Sequence, residues 1–146
     1  MPSSSTAKLT RDFHLDPTRD IRNVHGAPGW FELSTDDPET AVRFVEQAYG
    51  WEVEKTKVGN GDYWVARVCG HDVGGIRAPL PGATGEPTWI TYVTAESIDA
   101  VADKARSVGG TVVVPPTDVP GAGRFTAVDH PAAGRTFAFE YPHPFE

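Results

Sequence analysis

Hydrophobic and polar positions along the chain repeat one pattern twice. Residues 30–35 predict a short strand with Phe31 and Leu33 on one face and Trp30 and Glu32 on the other, and residues 89–94 are similarly aromatic and β-branched. Each strand leads into a stretch whose apolar residues recur at spacings of three and four, which is typical of an amphipathic helix. The pattern therefore predicts a duplicated strand–helix unit with a period of 59 residues, the separation of Trp30 and Trp89.

Both predicted helices have recognisable ends. Asp37 followed by Pro38 supplies a carboxylate cap and a proline at the first helical position, and Gly50 ends the first helix. Ser97 caps the second helix. The expected buried stripes are Ala41, Phe44, Val45, Ala48 and Tyr49 in the first helix, and Ile98, Val101, Ala102, Ala105 and Val108 in the second.

Three short β runs follow each helix. They cover residues 51–57, 62–68 and 71–78 in the first unit, and residues 111–114, 124–128 and 136–141 in the second, with a loop expected from Pro115 to Gly123. Each unit is therefore β-α-β-β-β. We expect an N-terminal arm (1–28) and a single domain (29–142), built from module one (29–78), a linker (79–87) and module two (88–142).

Composition narrows the class of protein. The 146 residues carry a net charge of −7, and no stretch clusters enough Lys and Arg to form the basic surface that nucleic-acid binding requires. Cys69 is the single cysteine, so no internal disulfide forms. No stretch approaches the roughly 20 apolar residues of a membrane span, and no signal peptide is recognisable. These features predict a cytoplasmic protein with neither nucleic-acid nor membrane partners.

The duplicated unit and its landmarks resemble the vicinal oxygen chelate superfamily, which contains glyoxalases, bleomycin-resistance proteins and extradiol dioxygenases. The resemblance implies an α+β fold in which two β-α-β-β-β modules form an incomplete eight-stranded barrel around a pocket. It rests on residues 28–33, 37–39 and 44–51 in the first unit, on Trp89, Tyr92 and 99–101, and on 123–125 with Asp129, Pro131 and Gly134 in the second.

The resemblance also bears on metal binding. Metal-dependent members take His and Glu ligands from the first, fourth, fifth and eighth strands. The matching positions here are Trp30, Gly75 or Ile76, Trp89 or Ile90, and Ala138, none of which can bind a divalent cation. No two of the five histidines have ligand spacing on one helix or strand. The resemblance therefore implies no metal and no cofactor, with a metal enzyme whose ligands are displaced by a residue or two as an alternative.

Two glutamates are candidate catalytic residues. Glu32 and Glu140 each lie two residues beyond a former ligand position, and strand alternation puts them on the same face as that position. Two carboxylates in an apolar cavity can serve as base and acid. The alternative is that one or both pair with Arg67, Arg77 or Arg135. Candidate ligand-binding residues, whose alternative role is core packing, are Trp30, Trp64, Trp89 and Tyr92, together with Ala138.

We expect a metal-independent protein that binds a small apolar or aromatic organic molecule in the pocket between the modules. Binding or sequestration of a metabolite or antibiotic is the first hypothesis. A metal-free isomerase, cyclase or lyase that uses a pocket carboxylate is the second, and a metal-dependent glyoxalase or dioxygenase is the third. The resemblance also favours a homodimer.

Overall fold

The computed structural model describes residues 24–80 and 83–142. Within that part of the chain, two successive β-α-β-β-β units account for all helices and strands. The first unit comprises β1 (Pro28–Ser34), α1 (Pro38–Tyr49), β2 (Glu52–Val58), β3 (Gly61–Val68) and β4 (His71–Arg77); the second comprises β5 (Thr88–Thr94), α2 (Ile98–Ser107), β6 (Thr111–Val119), β7 (Gly123–His130) and β8 (Gly134–Glu140).

The strands form one open, curved, eight-stranded sheet in the order β2-β3-β4-β1-β5-β8-β7-β6. An antiparallel pairing of β1 with β5 joins the two modules at the centre. Each module repeats the same arrangement, since β1 pairs in parallel with β4 and β5 pairs in parallel with β8. The predicted α+β class and duplicated topology are confirmed.

The caps of α1 are those the sequence predicts. The Asp37 side chain accepts a hydrogen bond from the Thr40 backbone N–H at 3.2 Å, and Gly50 adopts a left-handed conformation with φ of 71°. The buried stripe is narrower than predicted. Val45 is fully buried, whereas Phe44 and Tyr49 are 55% and 62% exposed. The helix therefore presents aromatic rings to its surroundings.

Strand β6 differs from the sequence prediction. A loop was expected from Pro115 onward, but the strand continues through Pro115 and Pro116 to Val119. β6 is an outer strand paired only with β7, and its register shifts between Val114 and Thr117. Proline lacks an N–H donor and is tolerated at sheet edges and bulges, which is where this structure places both residues.

The structural repeat is 60 residues rather than 59. β1 and β5 begin at Pro28 and Thr88, and the helices begin 60 residues apart at Pro38 and Ile98. A shift of one residue moves a strand side chain to the opposite face of the sheet. Glu32 is therefore equivalent to Tyr92, and Trp30 is equivalent to Ile90 instead of Trp89.

Two hydrophobic clusters pack the helices against one face of the sheet. Leu33, Val45 and Ile76 form the cluster under α1. Ala95, Ile98 and Ala138 form the corresponding cluster under α2. The other face of the sheet is left free to line a cavity.

The end of the predicted arm lies along β5. The Gly26 N–H donates to the Thr94 carbonyl, and the Thr94 N–H donates to the Ala27 carbonyl, both at 2.7 Å. His25 accepts a hydrogen bond from the Glu96 backbone N–H through Nδ1 at 3.0 Å. Residues 1–23 of the arm lie outside the described residues. In the described part, neither helix is long and apolar enough to cross a membrane.

Candidate functional site

A cavity of about 1170 Å³ lies on the face of the sheet opposite the helices. Both modules contribute to it, and so do the turn between β6 and β7 and the segment that follows β4. The side chains on which its chemistry depends are Trp30, Glu32, Tyr63 and Arg77 from module one, and Tyr92, Phe125, Phe139 and Tyr141 from module two.

Glu32 is the centre of a hydrogen-bond network in this cavity. Its carboxylate is buried, with 5% of the residue exposed. Tyr63 donates to Oε1 at 2.9 Å, while Arg77 Nε and Tyr92 Oη donate to Oε2 at 2.7 and 3.1 Å. The Trp30 indole N–H donates in turn to Tyr63 Oη at 2.9 Å. A buried carboxylate is tolerated only when its oxygens are satisfied, and three donors satisfy this one.

Burial fixes the protonation of the groups around Glu32. Desolvation raises the pKa of Tyr63 and of Tyr92 well above the ordinary value, and the Glu32 charge raises both further. Both phenols are therefore neutral hydrogen-bond donors at physiological pH. For Arg77, burial acts to lower the pKa, but the adjacent Glu32 outweighs it and leaves the pKa raised. Arg77 is therefore a permanent cation.

Gly75 makes room for Tyr63. It lies beside Glu32 in the β1–β4 register. A Cβ added at Gly75 would overlap the ring and hydroxyl of Tyr63. Since glycine has no side chain, the Tyr63 ring crosses β4 and reaches Glu32. The resemblance names Gly75 or Ile76 as the fourth-strand ligand position, and Tyr63 occupies the space beside Gly75.

Module two presents aromatic rings where module one presents polar groups. Arg77 pairs with Ser34, and Phe139 pairs with the equivalent residue Thr94, so Arg77 and Phe139 occupy matching positions. Tyr63 and Phe125 match as the third residues of β3 and β7. Ring centroids lie 5.9 Å apart between Tyr92 and Phe139, and 4.8 Å apart between Phe139 and Tyr141. The cavity thus has a polar half and an aromatic half.

Four of the candidate site residues lie at the cavity. Trp30, Glu32 and Tyr92 line it and share the network around Glu32. Trp64 also borders it. The Trp64 ring packs against the cluster under α1, and Lys55 Nζ lies 5.3 Å from the ring centroid. Trp64 therefore also has a packing role.

The other three candidates are placed elsewhere, and their expected orientation is corrected. Glu140 Oε1 accepts a hydrogen bond from the Ile98 N–H at 2.8 Å, at the start of α2. Ala138 belongs to the cluster under α2. Trp89 is 52% exposed and contacts the rings of Phe31 and Trp51.

A one-residue offset explains these corrections. Ala138 pairs with Val93, whereas the neighbouring Phe137 pairs with Tyr92, whose side chain lines the cavity. The helix-facing residues of β8 are therefore Ala138 and Glu140. The same error, in the 59-residue period, placed Trp89 on the cavity face. Of the residues that matter, Tyr63 and Phe139 were missed, while the alternative that Arg77 pairs with Glu32 is confirmed by a 2.7 Å contact.

The available donors do not fit a metal at the position that the resemblance implies. Within residues 24–80 and 83–142, no three His, Cys, Asp or Glu side chains converge as metal ligands would. Glu32 is the carboxylate at the centre of the cavity, and both of its oxygens are engaged by Tyr63, Tyr92 and Arg77. A zinc or iron site needs about three N, O or S donors.

Comparison with known proteins supports the architecture. The family model of the Glyoxalase/Bleomycin resistance protein/Dioxygenase superfamily matches residues 27–139. The chain belongs to this superfamily. Two solved structures share its fold: methylmalonyl-CoA epimerase, at TM-score 0.54 and 16% identity over 78% of this chain and 94% of that one, and a mutant of 4-hydroxymandelate synthase from Streptomyces coelicolor, at TM-score 0.55 and 15% identity over 84% and 40%.

Members of the superfamily that are closer in sequence include two longer proteins. CFP32 of Mycobacterium bovis, whose name assigns it provisionally to the glyoxylases, is 36% identical over 111 residues, which are 73% of this chain and 42% of that protein. The anthracycline biosynthesis protein DnrV of Streptomyces peucetius is 32% identical over 131 residues, which are 80% and 47%. This chain therefore spans less than half the length of these relatives.

Proposed function

We propose that this protein binds a small, largely aromatic or apolar organic molecule in the cavity between its modules. The observation that carries the proposal is the cavity itself, of about 1170 Å³, with aromatic rings from both modules in its lining. Small-molecule sites are concave and mostly apolar, with a few polar groups that fix orientation, and typically enclose roughly 300–1,000 Å³. This cavity is at the upper end of that range, so it accommodates a fused-ring molecule.

Binding or sequestration of a metabolite or antibiotic is the role we favour. The relative named for anthracycline biosynthesis supports an aromatic natural product as the class of ligand. Aromatic side chains stack on planar rings and bury a large area. The cytoplasmic location remains a prediction from composition.

The binding proposal is tested by indole N–H resonances in NMR during titration with tetralin, a neutral fused-ring hydrocarbon. We expect the Trp30 resonance to shift and saturate, because this indole lies at the cavity. Trp89 is the internal control, since its ring packs on the helix side of the sheet. Substituting each by phenylalanine assigns the two signals. A shift of Trp89 with none at Trp30 would contradict binding in the cavity.

A second candidate is a metal-free enzyme in which Glu32 transfers a proton. It is favoured by one observation, that a buried carboxylate lies in the cavity. The test uses tetralone, an aromatic ketone with exchangeable hydrogens beside its carbonyl. Deuterium incorporation from heavy water that is faster with the protein than without it, and lost in Glu32→Gln, would support proton transfer. Exchange at the solvent rate would leave binding as the function.

Metal independence is part of the proposal, and the donor chemistry around Glu32 supports it. The measurement is native mass spectrometry of the protein purified without chelator, before and after incubation with zinc or manganese. We expect the mass of the chain without a stoichiometric metal in both cases. One metal per chain that survives buffer exchange would contradict this part of the proposal and favour the metal-dependent alternative.

A further inference from the structure

We infer that the ligand carries an uncharged carbonyl oxygen, and that the guanidinium of Arg77 donates hydrogen bonds to it. The inference deepens the proposed function and rests on it. An aromatic ketone is the simplest member of this class. Its ring would lie in the aromatic half of the cavity and its oxygen in the polar half.

The donors of Arg77 are only partly used within the described residues. The side chain lines the cavity with 18% of its surface exposed. Nε donates to Glu32 Oε2 at 2.7 Å, and the Tyr92 hydroxyl is a further hydrogen-bond partner. A guanidinium carries five N–H donors in a fixed plane, so these two partners leave capacity for an acceptor. An acceptor oxygen on a ligand would satisfy donors that are costly to leave unpaired.

Charge around Arg77 favours a neutral acceptor over a carboxylate. Glu32 already balances the guanidinium charge, and the phenols of Tyr63 and Tyr92 are neutral. The chain carries a net charge of −7. An anionic ligand would therefore meet an already neutralised cation and a repelling field. The acidic residues that line the cavity are Asp36, Asp37, Glu39, Asp62 and Asp118.

The matching positions of the two modules give the ligand a direction. Phe125 and Phe139 occupy the places that Tyr63 and Arg77 occupy in module one. A ring packed among these phenylalanines satisfies the apolar end of the cavity. A carbonyl at the opposite end of the same molecule then points toward Arg77. The chemistry of the two halves thus selects a molecule that is aromatic at one end and an acceptor at the other.

The test compares three ligands of one size: tetralin, tetralone and tetrahydronaphthoate. They share a fused-ring frame and carry no oxygen, a carbonyl and a carboxylate, respectively. Dissociation constants are measured by NMR titration for the wild type, for Arg77→Lys, and for Arg67→Lys as a matched control. Lysine at position 77 keeps the cation opposite Glu32 but removes the planar set of donors. Arg67 contacts Glu54 and Asp72 on strands of the same module.

We expect the wild type to bind tetralone about tenfold more tightly than tetralin, in line with one charge-assisted hydrogen bond, and to bind the carboxylate most weakly. Arg77→Lys should lose the preference for the ketone while its affinity for tetralin stays unchanged, and Arg67→Lys should behave as the wild type.

Equal affinities of the wild type for tetralin and tetralone would overturn the inference and leave the proposed function standing. So would a preference for the ketone that survives in Arg77→Lys, or tightest binding of the carboxylate. If none of the three ligands shifts the Trp30 resonance, the proposed function fails and the inference fails with it. Should Arg77→Lys not fold, the three-ligand comparison in the wild type still decides.

Discussion

At the scale of single residues, Glu32 organises the cavity. A carboxylate removed from water is destabilising unless it is paired and hydrogen-bonded, and breaking a buried pair by removing one partner costs about 3–5 kcal/mol. Arg77 supplies the pairing and two phenols supply further donors. The network therefore links strands β1, β3, β4 and β5 through side chains as well as through the sheet.

The neutral phenols predict a loss of stability in alkali. Folding raises the pKa of Tyr63 and Tyr92 above the ordinary value of 10.0, so below that pH both states bind the proton and their contribution to stability is complete. Above it the unfolded chain releases protons that the folded chain retains, and the free energy of unfolding should fall. Urea denaturation as a function of pH measures this fall.

Near-ultraviolet phenolate absorbance gives an independent measure. Tyr49 is exposed and should ionise without unfolding, whereas Tyr63 and Tyr92 should ionise together with the unfolding transition. Tyr63→Phe should reduce the alkaline loss and Tyr49→Phe should not. Ionisation of all tyrosines before unfolding would contradict the buried donor role.

Residue-level prediction from sequence succeeded where one strand sufficed. Alternation along β1 put Trp30 and Glu32 on one face, and both line the cavity. Tyr63 lies 31 positions from Glu32 in the sequence. Its contact with Glu32 depends on the register of β3 and β4 and on the missing side chain at Gly75, neither of which a local pattern contains.

At the scale of elements, β4 is shaped by a glycine whose side-chain space belongs to another strand. Gly75→Ala should destabilise the protein by roughly 1–3 kcal/mol, because the added Cβ overlaps Tyr63. It should also shift the Trp30 indole resonance, since Trp30 donates to Tyr63. Gly61→Ala is the control. Its Cβ would meet only the Val58 carbonyl oxygen, at 3.8 Å. Equal stabilities of the two variants in urea would refute the steric role of Gly75.

Glu140 connects β8 to the start of α2. Its carboxylate accepts from the Ile98 N–H, where helices leave N–H groups unsatisfied and where the helix dipole favours negative charge. Glu140→Ala should lower the free energy of unfolding by about 1 kcal/mol and leave tetralin affinity unchanged. Glu46→Ala, on the exposed surface of α1, should change neither. A loss of binding in Glu140→Ala would instead support its original interpretation as a cavity residue.

The helices were predictable because their caps are local. Asp37 and Ser97 each accept a hydrogen bond from the N–H three residues later, and the sequence shows both caps directly. The extent of β6 was not predictable in this way. Whether Pro115 and Pro116 end a strand depends on whether that strand lies at the edge of the sheet, and only the order of all eight strands decides that.

At the scale of the whole molecule, an exposed aromatic patch marks a candidate interface. Phe44, Tyr49, Trp51 and Trp89 form a chain of ring contacts at 5.6, 5.7 and 6.2 Å on the helix side of the sheet. Exposed apolar patches commonly mark association sites. The longer relatives have room for a second unit of this size, since this chain spans 42% and 47% of them. We propose that a second copy of this chain covers the patch in a homodimer.

Sedimentation velocity tests the homodimer. We expect the wild type to sediment as a dimer, and Phe44→Glu to shift it toward monomer because a buried unpaired charge opposes association. Val108→Glu is the matched control, since Val108 lies at the corresponding end of α2 and is also exposed. A wild-type monomer at all concentrations, or equal effects of the two substitutions, would show the proposal to be wrong.

The duplicated fold was visible in the sequence because two copies of one pattern reinforce each other. The exact period was not, because tryptophan at position 89 suggested an alignment that differs by one residue from the structural one. That single residue was enough to reverse the face of Trp89, and a similar shift in β8 reversed Ala138 and Glu140. Architecture tolerates such an error, whereas a list of cavity residues does not.

The unlike halves of the cavity have a consequence for handedness. Two identical modules would give a cavity with a twofold axis, in which a bound molecule and its end-to-end rotated copy are equivalent. Phe125 and Phe139 opposite Tyr63 and Arg77 remove that equivalence. A planar guest then enters in one direction and presents a single face to Glu32. Any chemical change made to such a guest would occur on one side of its plane, so a prochiral ketone would give one mirror-image product.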